Sequence, residues 1–269
     1  MAHTPLFRKR PFSERVKSML RVDLRRMHRS RLLYILLACA LVMPILMTVM
    51  MAMMDGSVSK NPQTGAETVM RGPENAWQNL GTLPGGESMG GSEIFMMCNI
   101  NMVFMAVAVL VCLFIADDFR SGYVKSLFSV RARREEYVIS KTLCGCLGGA
   151  GMLIAYFLGS VLGGAIAGLS FDLHGLSAGN LLMCMLAKLF LLPVFVSIFT
   201  LISIALKHRA ALAICASLGG GMLLFMTVSP VSPLASTGLH VLLAAAGGLL
   251  FALGLGAVSN VILRKTGLV

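Results

Sequence analysis

Charged residues are scarce in this chain: Asp, Glu, Lys and Arg make up 13% of its 269 residues, whereas hydrophobic residues make up 57%. A soluble domain is about 25% charged and about 45–50% apolar even with glycine included, and here 28 glycines come in addition. Too little polar surface remains to cover a water-exposed globule, and the apolar residues come in long blocks. The composition therefore excludes a soluble enzyme, a disordered chain and a secreted disulfide scaffold, and it predicts a polytopic membrane protein.

Three further features are missing from the sequence. It contains no G-x-x-x-x-G-K-[ST] motif, so the chain is not expected to cradle phosphates, to hydrolyse ATP or to bind a cofactor itself. No carboxylate lies deep in an apolar block, which disfavours a proton relay or a sodium-coupled carrier. All seven cysteines fall inside apolar blocks, so they predict no disulfide framework.

Six apolar stretches are long enough to cross a membrane. About 20 residues span about 30 Å of hydrocarbon, and such a run pairs all its backbone groups in lipid only as a helix. The predicted fold class is therefore all-α, with a basic segment at 1–31 followed by a transmembrane domain at 32–269. The six predicted spans are 32–54, 94–116, 142–169, 180–206, 210–229 and 239–263.

Basic residues are divided unequally between the two sides of these spans. Residues 1–31 hold ten Lys and Arg, the loop 117–141 holds six, and 207–209 and 264–269 hold two each. The alternate loops hold two in total, both in 55–93. Because short cytoplasmic loops carry an excess of Lys and Arg, both termini are predicted to be cytoplasmic, and 55–93 becomes the large external loop. This bias accounts for the net charge of +11 without a nucleic-acid partner.

The segment before the first span is patterned as an amphipathic helix. Its apolar residues fall on one side of a helical wheel and its basic residues on the other, which favours a helix lying on the membrane with its basic face toward anionic lipid headgroups. The alternative is a basic flank that only fixes the topology. Asp23 interrupts the apolar side and requires a neutralising partner, for which Arg26 is the candidate.

The loop 117–141 mixes charges of both signs with regularly spaced apolar residues. Phe119, Tyr123 and Leu127 recur every four residues, which places them on one side of a short helix. Apolar anchors with a charged rim are typical of a surface that docks on a partner. The alternative is a helix that lies on the inner leaflet.

This loop resembles that of the membrane subunits of type-2 ATP-binding-cassette (ABC) exporters. Many small bacterial permeases of that kind carry a run similar to D-F-R-S-G-Y-x-K after the second span, and an S-K pair before the third. Here the run is residues 118–125 and the pair is Ser140 and Lys141. The basic N-terminal helix, the six spans and the cytoplasmic termini also resemble that family.

The resemblance implies a role and a set of partners. The loop would be a coupling helix that fits a groove of a separate ATPase subunit, which would bind ATP and Mg²⁺. The permease would pair with a second copy or a sister permease in the cell membrane of a bacterium. The implied ATPase contacts are Asp118, Phe119, Arg120, Gly122, Tyr123, Lys125, Leu127, Arg131 and Lys141.

Three features inside the spans leave alternatives open. Lys188 could face a substrate cavity, or its long side chain could reach water at the membrane surface. Glycines four residues apart, such as Gly159 and Gly163, let helices approach closely, either within one subunit or between subunits. The 20 methionines could carry a copper ion, but flexible apolar packing is the commoner use of methionine.

Two functional hypotheses follow from these observations. The first is an ABC permease that exports an amphipathic substrate, such as a peptide antibiotic, a lipid or a drug. The second is a membrane scaffold or sensor that transports nothing and holds a cytosolic partner through 117–141. A neighbouring reading frame that encodes an ATPase with a phosphate-binding loop would favour the first.

Overall fold

The computed structural model describes residues 11–60, 67–69, 72–81, 99–130, 133–173, 175–207 and 209–265. These residues form a helical bundle, which confirms the all-α prediction apart from one small hairpin. The hairpin pairs β1 (Val58–Lys60) with β2 (Glu67–Val69) in antiparallel register. The α-helices in chain order are α1 (Phe12–Arg29), α2 (Arg31–Met53), α3 (Val103–Arg120), α4 (Tyr123–Val130), α5 (Arg134–Ile166), α6 (Ala178–Leu206), α7 (Ala210–Val231) and α8 (Gly238–Lys265).

Five helical segments of the described chain are long and apolar enough to cross a bilayer: α2, α3 with the 3₁₀ turn before it, α5, α6 and α8. Within α7, the stretch Ala210–Phe225 is a shorter apolar helix. Five of the six predicted spans are thus confirmed as membrane-length helices. The first of them begins and ends within one residue of its predicted bounds, and residues 94–98 of the second lie outside the described residues.

The helix that contains the third predicted span begins eight residues before the predicted start of that span. The sequence places residues 134–141 in a polar loop, but in the structure they form the first two turns of α5. Glu135 and Glu136 lie in the first turn of α5, where carboxylates interact favourably with the positive end of the helix dipole. The separate helix within the predicted loop is therefore limited to the eight residues of α4.

Helices α2, α3, α5 and α8 meet at one end of the bundle, which we call the basic end. There α2 begins at Arg31, α3 ends at Arg120, α5 begins at Arg134 and α8 ends at Lys265. Arg264 at the end of α8 forms an ion pair of 2.7 Å with Glu135 at the start of α5. The other end carries the hairpin and a short 3₁₀ helix (Ala76–Asn79).

The amphipathic helix α1 places its apolar side against protein. Met19, Asp23 and Met27 are buried, whereas Arg21, Arg25 and Lys17 on the other side are exposed. The helix runs along the first turns of α5 in the same direction, with Arg15 paired to Glu136 and the sulfur of Met27 near Gly148. Packing on α5 thus explains much of the pattern that the sequence assigned to contact with lipid.

The 3₁₀ helix at the opposite end closes over the connection between α5 and α6. Trp77 donates its indole N–H to the carbonyl oxygen of Phe171 at 2.9 Å and stacks on Phe157. Asn79 donates to the hydroxyl of Thr48 in α2 at 2.6 Å. Part of the predicted loop 55–93 is therefore an ordered cap on the bundle.

Closely spaced glycines pack helices of the same subunit together, which confirms one of the two alternatives. Gly159 and Gly163 of α5 lie against the backbone of α2 at Leu41, Pro44 and Ile45. Backbones can approach this closely in a membrane because glycine has no side chain. In α7, by contrast, a methyl group added at Gly219 would meet no atom within 4 Å.

Replacing Gly159 with alanine is expected to destabilise the bundle by about 1–3 kcal/mol, as overpacking typically does. The added methyl group would overlap the carbonyl oxygen of Leu41, and backbone atoms cannot move aside cheaply. Gly219→Ala is the matched control and should not be destabilising. Denaturant unfolding of both variants in detergent micelles measures the difference, and equal stability of the two variants would contradict the observed packing.

Candidate functional site

Four charged side chains from three helices are gathered inside the protein near the basic end. They are Asp23 and Arg26 of α1, Asp118 of α3 and Lys141 of α5, and we call them the four-charge cluster. The Lys141 ammonium lies 2.8 Å from an oxygen of Asp23 and 2.6 Å from an oxygen of Asp118. Arg26 lies 2.7 Å from the other oxygen of Asp118 and 4.0 Å from Asp23. Two carboxylates thus face two cations.

Neutral side chains complete the coordination of the two carboxylates. Ser140 donates to Asp23 at 2.5 Å, and Tyr137 donates to Asp118 at 3.0 Å. The ring of Phe114 lies 3.9 Å from the Lys141 ammonium. Asp23 and Asp118 are fully buried and Lys141 is 1% exposed, so each charge depends on these partners for the interactions that water would otherwise provide.

The cluster gives a structural role to three residues of the predicted loop 117–141. Asp118 begins the run D-F-R-S-G-Y-x-K, and Ser140 and Lys141 form the later pair; the structure brings all three together with Asp23. The sequence implied a direct ATPase contact for Asp118 and Lys141. In the structure both side chains are buried, and their charged groups form an ion pair with each other.

Arg26, the expected partner of Asp23, forms an ion pair with it at 4.0 Å, but Lys141 lies closer, at 2.8 Å. Lys141 is the partner that the sequence does not reveal. The sequence signal for this pair is the position of Asp23 on the apolar side of an amphipathic helix, which indicates that its carboxylate has a buried partner. The position of that partner, 118 residues away, could not be read from local spacing.

Helix α4 is joined to the cluster through a turn at Gly122. Gly122 has a φ of 72°, a left-handed conformation that favours glycine, and this turn separates α3 from α4. The ring of Tyr123 then lies 4.2 Å from the Arg26 guanidinium, within the range of a cation–π interaction. Phe128 packs edge-on against Tyr137, with ring centres 5.9 Å apart. The two ends of α4 therefore contact members and ligands of the cluster.

The charge states of Arg26 and Tyr123 follow from this environment. Burial lowers the pKa of the Arg26 guanidinium, but its contacts with Asp118 outweigh burial, and the pKa is raised above its ordinary value. Burial also raises the pKa of the Tyr123 phenol, and the negative charge of Asp23 raises it further. At neutral pH the cation–π pair is thus a guanidinium over a neutral ring.

Phe119 lies in the last turn of α3 and is separated from Tyr123 and Leu127 of α4 by the Gly122 turn, so the three do not lie on one helix as predicted. Lys125, Ser126 and Ser129 are exposed, as is Arg120 at the end of α3. Phe119, Tyr123 and Leu127 are only partly buried, so each leaves part of its side chain accessible beside the polar residues. Arg131, also implied as a contact, lies outside the described residues.

Lys188 is enclosed between helices and does not reach the surface. It is 1% exposed, and its ammonium donates to the side-chain oxygen of Asn101 at 2.8 Å and to the hydroxyl of Ser232 at 3.1 Å. The carbonyl oxygen of Ser232 accepts a longer bond of 3.3 Å. The alternative in which Lys188 extends to surface water is therefore wrong. No carboxylate contacts its ammonium among the residues that the structure describes.

The helical bundle, with five helices of membrane length among the described residues, is that of a polytopic membrane protein. A family model described as "ABC-2 family transporter protein" matches residues 19–224, which include the four-charge cluster, α4 and Lys188. The chain belongs to this family of ABC transporter membrane components. Searches of curated proteins and of solved structures gave no match.

Proposed function

We propose that the chain is the permease subunit of an ABC exporter and that α4 docks on a separate ATPase subunit, which binds ATP and Mg²⁺. Family membership supports the permease role and implies an ATPase partner. The observation that carries the proposal is the attachment of α4 to a cluster built from α1, α3 and α5.

The cluster supplies what a coupling element requires. Closure of two ATPase subunits moves the transporter only if the docked helix moves its neighbours as a rigid body. Tyr123 of α4 contacts Arg26 of α1, and Arg26 pairs with Asp118 of α3. Asp118 in turn pairs with Lys141 of α5. A displacement of α4 would thus be transmitted to the bases of three helices.

In the proposed arrangement α7 also crosses the membrane, as the fifth of six spans in chain order, and the basic end faces the cytoplasm. The 22 residues of α7 cover about 33 Å at 1.5 Å per residue, enough for the hydrocarbon core. The helix runs antiparallel to α3, with Ser217 against Cys112 and Gly221 near Met105. An even number of spans places both termini on one side.

The topology can be tested with single cysteines in a chain whose native cysteines have been replaced. A cysteine at Ser57, near the hairpin, should react with a membrane-impermeant maleimide in whole cells. A cysteine at Ser129 in α4 should react only after the cells are opened. Both serines are exposed in the structure, so burial would not mask either result. Reversed labelling would overturn the proposed orientation.

The proposed substrate is amphipathic: a peptide antibiotic, a lipid or a drug. The described parts of the spans hold Lys188 as a buried ammonium engaged with Asn101 and Ser232. They show no row of charges that would conduct a strongly charged solute. A pair of permeases, either two copies or two sister chains, would enclose the path.

Replacing Lys188 with leucine is expected to lower export while leaving the chain folded and bound to its ATPase. The hydrogen bonds lost at Asn101 and Ser232 cost about 1–3 kcal/mol, but removing a desolvated ammonium offsets part of this cost. Transport into inverted vesicles and denaturant unfolding measure the two effects separately. An export rate equal to that of the parent would limit Lys188 to a packing role.

The function itself is tested by co-expression with a candidate ATPase subunit, sought first in the neighbouring reading frames by its phosphate-binding loop. The two chains should co-purify, and inverted vesicles that contain both should accumulate an amphipathic substrate only with ATP and Mg²⁺. Stable co-purification without transport of any such substrate would instead support the scaffold or sensor. Failure of the two chains to associate would contradict the proposal.

A further inference from the structure

A cavity of about 580 Å³ opens at the basic end, beside the four-charge cluster, and Arg26 of that cluster borders it. It lies where α1 turns into α2, beside the last turns of α3 and the first residue of α7. No residue of α4 lines this cavity, and Lys188 does not line it. One wall of the cavity is basic and the other is apolar.

One wall is strongly basic. Arg26, Arg29 and Arg120 line it together with Ser30 and one carboxylate, Asp117. Arg26 is already committed to Asp118 at 2.7 Å and lies 3.8 Å from Asp117. Within the described residues, Arg29 and Arg120 have no carboxylate within ion-pair distance, and both are exposed. Two arginines from different helices therefore border one cavity, and neither is paired with Asp117, the carboxylate in its lining.

The remaining wall is apolar and belongs to the membrane spans. Leu32 of α2 and Leu110, Leu113 and Phe114 of α3 form it. A soluble phosphate would use the arginines but would leave this surface unoccupied. A basic pocket between membrane helices that continues into an apolar wall matches the headgroup and the acyl chain of an anionic lipid.

We propose that this cavity binds one anionic phospholipid, with its phosphate between Arg29 and Arg120 and an acyl chain along Leu32 and Leu113, which are both partly exposed. Guanidinium groups suit this role because they bind phosphate oxygens through two parallel hydrogen bonds. The bound lipid would join the α1–α2 turn to α3 beside Arg26, and so would steady the helix that supplies half of the four-charge cluster. The lipid would belong to the cytoplasmic leaflet, a placement that rests on the orientation in the proposed function. The binding site itself does not depend on that orientation.

The test measures lipid retention by the purified full chain without its ATPase. The chain is reconstituted in nanodiscs of phosphatidylcholine with increasing phosphatidylglycerol, and native mass spectrometry counts the retained anionic lipid. Arg29→Gln with Arg120→Gln removes both free guanidinium groups. Arg21→Gln with Arg25→Gln is the matched control, because both residues are exposed on α1 and neither lines the cavity.

The parent and the control pair should retain one phosphatidylglycerol with similar affinity. The Arg29 and Arg120 pair should bind it about thirtyfold more weakly, since each basic residue near an anionic lipid contributes about 1 kcal/mol. Equal weakening by both pairs would show general surface attraction and would overturn the site. Competition by glycerol phosphate at the same concentration as the lipid would also overturn it, in favour of a soluble phosphate site.

If the double variant fails to fold, Arg29→Gln alone is compared with Arg25→Gln, with about fivefold weakening expected. Because no ATPase or transport enters the binding assay, failure of the proposed exporter function would leave this result intact.

Discussion

Replacing Lys141 with methionine is expected to destabilise the protein by about 3–5 kcal/mol, the usual cost of removing one partner from a buried ion pair. The ammonium lies within 2.8 Å of both Asp23 and Asp118. Without it, Asp23 would keep only the hydroxyl of Ser140 and a guanidinium 4.0 Å away. Methionine fills a similar volume, so the loss would come from the charge and not from a cavity.

Two comparison variants separate this effect from the general loss of a lysine. Lys125→Met removes an exposed cation from α4 and should change stability by less than about 0.5 kcal/mol. Adding Asp23→Asn to Lys141→Met removes the carboxylate that has lost its nearest cation, and the double variant should recover part of the lost stability. Denaturant unfolding in micelles gives all three values. If Lys141→Met were as stable as Lys125→Met, the cluster would not hold α1, α3 and α5 together.

Replacing Tyr123 with alanine is expected to weaken binding of the ATPase by about thirtyfold. Truncation of a buried aromatic anchor costs about 2 kcal/mol, and 1.4 kcal/mol corresponds to a factor of ten. In this chain the ring has a second role, because it lies on the Arg26 guanidinium and fixes the start of α4. The variant should therefore lose ATP-driven transport as well as affinity.

Tyr123→Phe is the matched control, because it keeps the ring on Arg26 and removes only the hydroxyl group. It should bind the ATPase nearly as the parent does. Lys125→Ala should have a smaller, salt-dependent effect, since exposed charges at the rim of an interface are screened. Co-purification, equilibrium binding and ATP turnover of the assembled complex distinguish these outcomes. Parent-like binding and transport by Tyr123→Ala would remove α4 as the coupling element.

The spans could be predicted from sequence because their signal is local. A run of apolar residues in lipid forms a helix because only a helix pairs all its backbone groups within the segment. The predicted first span accordingly agrees with α2 to within one residue at each end. The start of α5 was misplaced because Glu135, Glu136 and Lys141 count as polar in any local window. Glu136 and Lys141 are buried because they pair with Arg15 and Asp23, which approach them only in the folded chain.

The site could be predicted only in part for a related reason. The recurrence of Phe119, Tyr123 and Leu127 indicated a helix with one apolar side, but spacing alone could not distinguish a partner groove from the chain's own bundle. The carboxylate of Asp23, on the apolar side of its helix, indicated a buried ion pair but did not identify the other residue of the pair. The pairing of Asp23 with Lys141 joins residues 118 positions apart, and such contacts are fixed by helix packing and not by sequence pattern.

The most direct test of the central claim, that α4 docks on the ATPase, is site-specific photo-crosslinking in the assembled complex. A benzophenone side chain is introduced at Ser129, on the exposed side of α4, or at Ser57 near the hairpin. Both sites are exposed and neither residue belongs to the four-charge cluster, so the chain should fold in each case. The account predicts a crosslink to the ATPase from Ser129 and none from Ser57. A crosslink from Ser57, or the absence of one from Ser129 in a complex that still hydrolyses ATP and transports substrate, would contradict it.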